Sequence, residues 1–454
     1  MQTGSERWTS RLGFYLAAPG AAVGLGSIWR FPYLTGTNGG SAFVFVFILA
    51  CLGIATPLLV AEFMMGRRSR RNPAEAAGEV AAGFGRSRGW NAIGVLGTAA
   101  AFVVMSYYTV IAGWVLAYAW KCVSGELNAL PRRAVEGQFH EFLSNPWRVG
   151  AWHLAFVVLL GGISARGVNR GIEVANKIRA PALLILLLVL VAYALATGDL
   201  RRGLAFAFAP DFSRLSANVV LAAIGQAFFA TGVGMGMMLA YGAYVPRGAS
   251  LVRAALIISG SIVLVSLLAT LMIFPLVYRY GLNPAQGAEL VFNVLPVAFW
   301  EMPGGRIVGS LFFIFLILAA LTPSLAGLEP MVAWLAQRRG MSRPRAACAA
   351  SAGVWAVGIA SVLSFNAWAS WHPLAIIPRL RSMTAFDVLD FVSSNLMLPI
   401  GALLTCALIG WRLPAGLMDT ELAEEPAGAR RWLRFLLRYV CPLGIIAVLV
   451  TALA

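Results

Sequence analysis

Charged side chains are scarce in this 454-residue chain. Asp, Glu, Lys and Arg make up 12% of it, whereas hydrophobic residues make up 59%, and the mean hydropathy is +0.78. So few polar groups cannot cover the surface of a water-soluble globule, which excludes an ordinary soluble enzyme or binding domain. We therefore expect an all-α polytopic membrane protein in contact with a lipid bilayer.

Histidine and cysteine are also scarce, and they are scattered. The chain has three histidines, His140, His153 and His372, and five cysteines, Cys51, Cys122, Cys348, Cys406 and Cys441. No pair of them has metal-ligand or redox spacing. We interpret the cysteines as apolar packing residues. Because there is also no nucleophile–base pair, we predict that the protein is not an enzyme.

Acidic residues are few relative to basic ones, 19 against 35, which gives a net charge of +16. Nucleic-acid binding does not follow, because the arginines cluster in short loops between apolar runs. Such clusters mark the cytoplasmic loops of membrane proteins, and we expect a cytoplasmic N-terminus in the cell inner (plasma) membrane. The clusters are Arg67, Arg68, Arg70, Arg71, Arg86 and Arg88; Arg166, Arg170, Lys177 and Arg179; and Arg338, Arg339, Arg343 and Arg345.

Two glycine-rich interruptions lie inside long apolar segments, one in each half of the chain, at 20–27 and 230–236. A break in a membrane helix frees backbone groups that lipid cannot satisfy, so it persists only where it lines a cavity. Two such breaks at corresponding positions predict a secondary transporter built from inverted repeats.

Apolar runs of about 20 residues, long enough to cross a bilayer, occur about eleven times. They lie near 12–37, 41–65, 91–120, 151–164, 181–196, 215–241, 252–278, 307–336, 347–365, 386–408 and 432–454. This order predicts a single transporter domain with two five-helix repeats, 11–196 and 214–410, and an eleventh helix at 432–454. We expect a polar loop at 125–149, a partly helical segment at 281–305 and a linker at 412–428.

The residues from Arg11 through Tyr33, with the run GAAVGLGSIWRFPY, strongly resemble the first helix of the neurotransmitter:sodium symporter family. The resemblance continues in the segments AEFMMGR (61–67), YY (107–108), GQAFF (225–229), AALT (319–322) and FDVLDF (386–391). It covers nearly the whole chain and is closest to bacterial amino-acid transporters of that family. It implies Na⁺-coupled symport of an amino acid by alternating access, with the first and sixth helices broken.

The resemblance also implies a substrate site at the membrane midplane. Its residues here are Ala22, Leu25, Gly26, Val104, Tyr108, Phe229, Ala230, Gly232, Met235 and Gly327. Residues 22–26 and Tyr108 would meet a carboxylate, because Gly24 stands where monoamine members carry an aspartate. Small residues at Gly232 and Gly327 favour a hydrophobic substrate, although close helix packing also explains them.

Arg30 and Asp390 resemble the family's extracellular gate, with Asp387 as a possible third member on the same helical face. The alternative is that these charges face lipid headgroups. Glu62 and Gln226 are polar residues inside apolar runs, and we expect them to brace the unwound backbone. Glu329 has either that role or the role of polar contact between helices.

The sodium sites depart from the family pattern. The second site retains Gly20, Val23, Ala319 and Thr322, but Pro323 replaces a hydroxyl ligand while leaving the carbonyl of Ala319 without its helical N–H partner. The first site would use Ala22 and Ser27. The family usually has an amide ligand at the position of Ser27, a hydroxyl at that of Ala230 and an amide from the seventh helix, and this chain has none of the three.

Further differences from the family pattern leave open which ion drives transport. The family's cytoplasmic ion pair would fall at Ser5 and Gln337, which cannot form one. A role for chloride also stays open, because the seventh-helix stretch lacks the carboxylate that often replaces chloride in bacterial members, and Ser261 or Ser266 could instead leave room for an anion. A proton-coupled or uncoupled carrier of the same fold is the alternative to Na⁺ symport, and a non-transporting sensor is a more distant one. The oligomeric state and the identity of the amino acid do not follow from the sequence.

Overall fold

The structure, a computed structural model, describes residues 23–127, 129–167, 174–209, 211–246, 248–285 and 290–453. Gly20 and Ala22 lie outside the described residues, as does the predicted start of the first span. Within the described residues every regular element is a helix.

The helices are numbered in chain order. They are α1 (Gly26–Arg30, continued by Phe31–Thr37), α2 (Ser41–Ser69), α4 (Arg88–Ser124), α11 (Leu251–Arg279), α12 (Leu290–Glu301), α13 (Gly305–Arg339), α15 (Ala385–Arg412) and α17 (Ala427–Ala452); α3 (Pro73–Ala82), α5 (Arg132–Ser144), α6 (Pro146–Ala165), α7 (Val174–Thr197), α8 (Leu200–Phe208), α9 (Ala217–Thr231), α10 (Met237–Tyr244), α14 (Arg343–Leu363) and α16 (Ala415–Glu421).

The described residues contain eight helices, or nine counting one bent pair, that could cross a bilayer, where the sequence predicts about eleven spans. Among the described residues, α2, α4, α6, α11, α13, α14, α15 and α17 are each long and apolar enough to cross a bilayer, and α7 continues into α8 through a bend of 116°. The first span is α1, whose predicted beginning lies outside the described residues, and the sixth is divided between α9 and α10. The protein is therefore an all-α polytopic membrane protein, and the limits of its two repeats stay a prediction.

The break between α9 and α10 follows from three glycines. Gly232, Gly234 and Gly236 have φ angles of +68°, +83° and +68°, a region that other residues enter only with strain. Gly232 closes α9 by donating its N–H to the carbonyl of Phe228 at 2.9 Å. The chain then turns and restarts as α10 at Met237.

Close backbone contacts fix α10 against α2. A Cβ added to Gly66 would lie 2.2 Å from the carbonyl oxygen of Leu239, and one added to Gly242 would lie 2.7 Å from that of Phe63. Small residues of this kind allow membrane helices to approach closely. On the other side of the break, α13 packs against α4, and the segment just before α1 lies against α13, because a Cβ on Gly24 would lie 2.4 Å from Cγ of Pro323.

Two of the three segments between spans differ in detail from what the sequence predicts. The polar loop expected at 125–149 contains helix α5, which buries Phe139 and Phe142. The linker at 412–428 contains the short helix α16. In both cases a short apolar face packs on the protein, which a polar composition does not reveal. The segment 281–305 is partly helical as predicted, through α12.

Candidate functional site

A small cavity of about 30 Å³ lies between the start of α1 and the α9–α10 break. It is lined by Gly24, Gly26, Val104, Met105, Tyr108, Phe229, Ala230, Thr231, Met235, Met237 and Pro323. Six of the ten residues that the resemblance implies therefore meet at one place: Gly26, Val104, Tyr108, Phe229, Ala230 and Met235. Leu25, Gly232 and Gly327 are not among the lining residues, and Ala22 lies outside the described residues.

Side chains from α4 and α9 hold the start of α1. The backbone N–H of Leu25 donates to the Tyr108 hydroxyl at 3.2 Å, and the Gln226 amide donates to the carbonyl of Gly26 at 2.6 Å. Gln226 thus braces the first residue of α1, at the end of the segment that the sequence predicts to be unwound. Because the Tyr108 hydroxyl accepts the bond from Leu25, its own proton can be donated to a further acceptor.

Glu62 braces the second break. It is 1% exposed, and its Oε1 accepts the N–H of Gly234 at 2.7 Å. Its Oε2 is buried and has no hydrogen-bond partner among the described residues. Glu62 therefore supports the α9–α10 turn with one oxygen only.

Two methionines occupy the space beside the small residues Gly232 and Gly327. A Cβ on Gly232 would lie 2.1 Å from Cε of Met237, and one on Gly327 would lie 2.8 Å from Cε and Sδ of Met105. The volume that the glycines leave is thus filled by flexible side chains. Methionine re-packs readily around other apolar shapes, so the space is adjustable.

Above the cavity, Arg30 and Asp390 form an ion pair. Nη2 of Arg30 lies 3.3 Å from Oδ2 of Asp390, while Oδ1 of Asp390 accepts the hydroxyls of Tyr107 and Ser394, each at 2.9 Å. The guanidinium also lies 4.2 Å from the ring centroid of Phe229. These contacts close one side of the cavity with a polar layer over an aromatic one.

Asp387 has a different role from the one considered in the sequence analysis. Its Oδ2 accepts the backbone N–H and the hydroxyl of Thr384, at 2.9 and 2.8 Å. These bonds form a capping box at the beginning of α15. Asp387 therefore caps a helix and is not part of the Arg30 network.

At the predicted second sodium site, α1 touches α13. A Cβ on Gly24 would lie 2.4 Å from Cγ of Pro323, so Val23 and Thr322, which flank these two residues, belong to adjoining backbone segments. The Thr322 hydroxyl donates to the carbonyl of Leu318 at 3.3 Å. Ala319 is fully buried on the same helix, and Gly20 lies outside the described residues.

The predicted first sodium site retains one unpartnered oxygen. The Ser27 hydroxyl is buried and has no hydrogen-bond partner within the described part of the chain. Ala230 lies on the cavity wall and has no side-chain oxygen to add. Of the three losses that the sequence indicates at this site, those at Ser27 and Ala230 fall on neighbouring segments, because a Cβ on Gly26 would lie 3.5 Å from Cα of Ala230.

On the side opposite Arg30, an ion pair links α13 to α14. Glu329 is 2% exposed and accepts two bonds from Arg343, at 3.0 and 2.7 Å. The hydroxyl of Tyr244, the last residue of α10, also donates to Glu329 at 3.4 Å. Gln337 instead accepts the backbone and side-chain N–H groups of Asn72, and Ser5 lies outside the described residues.

Comparison with known proteins decides the family. Residues 5–133 and 138–454 match the profile described as the Sodium:neurotransmitter symporter family. The chain belongs to this family. Family members are transporters and not enzymes, so the prediction of a membrane transporter is confirmed. One relative, the sodium-dependent transporter YhdH of Bacillus subtilis, is 35% identical over 445 residues, which cover 97% of this chain and 96% of YhdH.

Two further relatives carry information on substrates. The structure of MhsT in complex with L-phenylalanine superposes with a TM-score of 0.91 at 39% sequence identity, covering 99% of this chain and 100% of MhsT. The sodium-dependent neutral amino acid transporter B(0)AT2 of Bos taurus is 28% identical over 296 residues, which cover 59% of this chain and 40% of that protein.

Several residues of the site escaped the sequence analysis. Met105 and Met237 lie one helical turn or less from predicted residues, but an apolar side chain in an apolar run carries no signal of its own. Tyr107 was noted only beside Tyr108, and Ser394 lies four residues after Asp390, a spacing that places both on one helix face. In the sequence Arg343 belongs to a cluster of loop arginines, and nothing there indicates its ion pair with Glu329, which lies 14 residues earlier.

Proposed function

We propose that this family member carries a hydrophobic amino acid across the membrane together with Na⁺, by alternating access. The observation that supports the proposal most is the cavity between the start of α1 and the α9–α10 break. One end of it has the Leu25–Tyr108 hydrogen bond at 3.2 Å, and the rest is apolar, with Val104, Phe229 and Met235 on its wall.

The polar end suits the carboxylate of the substrate. The N–H groups at the start of α1 lie at a helix N-terminus, which favours negative charge, and the Tyr108 hydroxyl can donate a further bond. Gly24 has no carboxylate that could pair with the ammonium group of a substrate lacking its own carboxylate. We therefore place the carboxylate at residues 22–26 and Tyr108, as the resemblance implies.

The apolar end suits a medium-sized or large hydrophobic side chain. A cavity of about 30 Å³ has room for about one water molecule, so an amino acid needs additional space. Met105 and Met237 can provide it by changing rotamer, because both are unbranched and fill the space beside glycines. The phenylalanine complex of MhsT supports an apolar ligand in a protein of the same fold.

Sodium is the proposed coupling ion, bound mainly at the second site by the carbonyls of Gly20, Val23 and Ala319 and the hydroxyl of Thr322. Oxygen ligands of this kind suit a hard cation. The first site, with Ala22 and Ser27, has fewer oxygens and would bind more weakly. Chloride is not required by this proposal.

The orientation belongs to the proposal as well. We infer that the Arg30–Asp390 pair is the extracellular gate, that the N-terminus is cytoplasmic and that the protein lies in the inner (plasma) membrane, because the arginine clusters at 67–88 and 338–345 fall on the side opposite the gate. A proton-coupled carrier is the second candidate. It is favoured by Glu62, whose buried Oε2 has no partner among the described residues.

Equilibrium binding tests the substrate class. Radiolabelled L-phenylalanine is bound to the purified protein in NaCl and in KCl, with L-leucine, L-glutamate and phenethylamine as competitors. We expect binding that requires Na⁺ and competition by leucine only. Competition by phenethylamine as strong as by phenylalanine itself would reject the carboxylate placement, and equal binding in both salts would reject sodium coupling.

A further inference from the structure

The segment between α14 and α15, residues 364–384, is ordered by its own hydrogen bonds. The N–H of Trp368 donates to the carbonyl of Leu363 at 2.9 Å, and the N–H of Ile377 donates to that of Leu374 at 3.0 Å. At its end, the Ser364 hydroxyl accepts the N–H of Phe386 at 2.9 Å. These bonds give the segment a defined surface.

That surface is apolar. Trp368 is 37% exposed, Trp371 49%, Ile376 92% and Ile377 43%. The two indole rings contact each other edge to face, with centroids 4.9 Å apart, and Ile376 lies at the tip of the turn. Four large apolar side chains exposed within ten residues form a patch of the kind that marks an interaction surface.

The position of the patch favours the lipid bilayer as its partner. Both flanking helices, α14 and α15, are membrane-spanning, and α15 begins on the side of the Arg30–Asp390 pair, so the segment lies at the membrane–water boundary. Tryptophan is enriched at that boundary. Residues 364–386 also include Arg379 and Arg381 and no acidic residue, and a basic segment at a bilayer surface is attracted to anionic lipids.

We propose that residues 364–384 form a membrane-surface anchor, which inserts Trp368, Trp371 and the Ile376–Ile377 tip into the lipid at the boundary on the Arg30 side. The indoles lie at headgroup depth and the isoleucines reach the beginning of the acyl chains, as in interfacial segments of other proteins. The ligand class is a phospholipid surface with anionic headgroups.

Site-directed spin labelling tests the anchor. Ile376→Cys is made in a Cys348→Ala background, because Cys348 is exposed whereas the other four cysteines are buried, and the full-length protein is reconstituted into liposomes containing phosphatidylglycerol. Asn283→Cys is the matched control, since Asn283 is exposed in another loop on the same side: the adjacent Pro284 lies against Gly36 of α1.

The measurement compares collisions of each nitroxide with oxygen, which concentrates in lipid, and with a water-soluble nickel complex. The anchor predicts a several-fold higher oxygen-to-nickel ratio at residue 376 than at residue 283. Equal ratios would show that the tip is in water and would overturn the proposal. Strong spin–spin coupling between labels at high lipid dilution would assign the patch to a second copy of the chain and would overturn it as well.

Discussion

The ring of Pro323 fills the space that a side chain at Gly24 would need. A Cβ on Gly24 would lie 2.4 Å from Cγ of Pro323, so a larger residue at position 24 requires movement of α13. Gly24, where monoamine members carry an aspartate, and Pro323, where the family usually has a hydroxyl ligand, therefore form one structural feature. It lies between the predicted substrate site and the predicted second sodium site.

Restoring a hydroxyl at this position should strengthen sodium binding. Pro323→Ser adds an oxygen where the family usually has a ligand, and we expect the Na⁺ concentration for half-maximal uptake to fall roughly three- to tenfold, as expected for about 1 kcal/mol. Pro323→Ala is the matched control, because it adds only an N–H that can bond the carbonyl of Ala319, and it should raise that concentration. A fall of equal size in both variants would show that the hydroxyl is not a ligand.

The two sodium sites should differ in importance. Thr322→Val removes a hydroxyl from the second site while keeping the shape of the side chain, and we expect it to abolish Na⁺ stimulation of uptake. Ser27→Ala removes the single side-chain oxygen of the first site and should have the smaller effect. The Na⁺ dependence of uptake in each variant decides this, and a larger loss in Ser27→Ala would reverse the assignment.

Tyr108→Phe should weaken substrate binding. The variant removes the hydroxyl that would bond the carboxylate, and a hydrogen bond to a charged group contributes about 1.5–3 kcal/mol, or about 10- to 150-fold in affinity. The same hydroxyl also accepts the N–H of Leu25, so the thermal stability of the variant must be measured in parallel. Unchanged affinity in a stable variant would place the carboxylate elsewhere.

Breaking the Arg30–Asp390 pair should affect transport more than binding. We expect Arg30→Ala and Asp390→Ala each to lower uptake roughly tenfold and to change equilibrium affinity by less than about threefold, because the pair closes the cavity without contacting the substrate. Asp387→Ala is the control on the same helix and should leave uptake closer to wild type. Normal uptake in both gate variants would support the headgroup interpretation instead.

The sequence predicts the spans, the two breaks and the bracing residues, because apolar runs, glycine clusters and lone polar residues are visible along the chain. The role of Asp387 could not be predicted from its spacing. Its spacing from Asp390 suggested one shared face, but Thr384 captures its carboxylate at the beginning of α15. Likewise, Met105 and Met237 are indistinguishable from other apolar residues until the fold brings them beside Gly327 and Gly232.

The pairing of Glu329 with Arg343 also required the fold, and it separates two carboxylates that the sequence leaves equivalent. Glu329 is bound on both oxygens by Arg343, so removing its carboxylate would leave the guanidinium of Arg343 without this partner. Glu62 has one buried oxygen without a partner in the described part of the chain. If protons drive transport, Glu62→Gln should remove the dependence and Glu329→Gln should chiefly lower stability.

Uptake by proteoliposomes tests the central claim most directly. Radiolabelled L-phenylalanine is supplied to vesicles that hold the protein under an inward Na⁺ gradient, an inward proton gradient or equal K⁺ on both sides, each imposed separately. Sodium-coupled symport predicts accumulation under the Na⁺ gradient alone, without marked cooperativity in Na⁺ because the first site is weak. Accumulation driven by the proton gradient and indifferent to Na⁺ would contradict it.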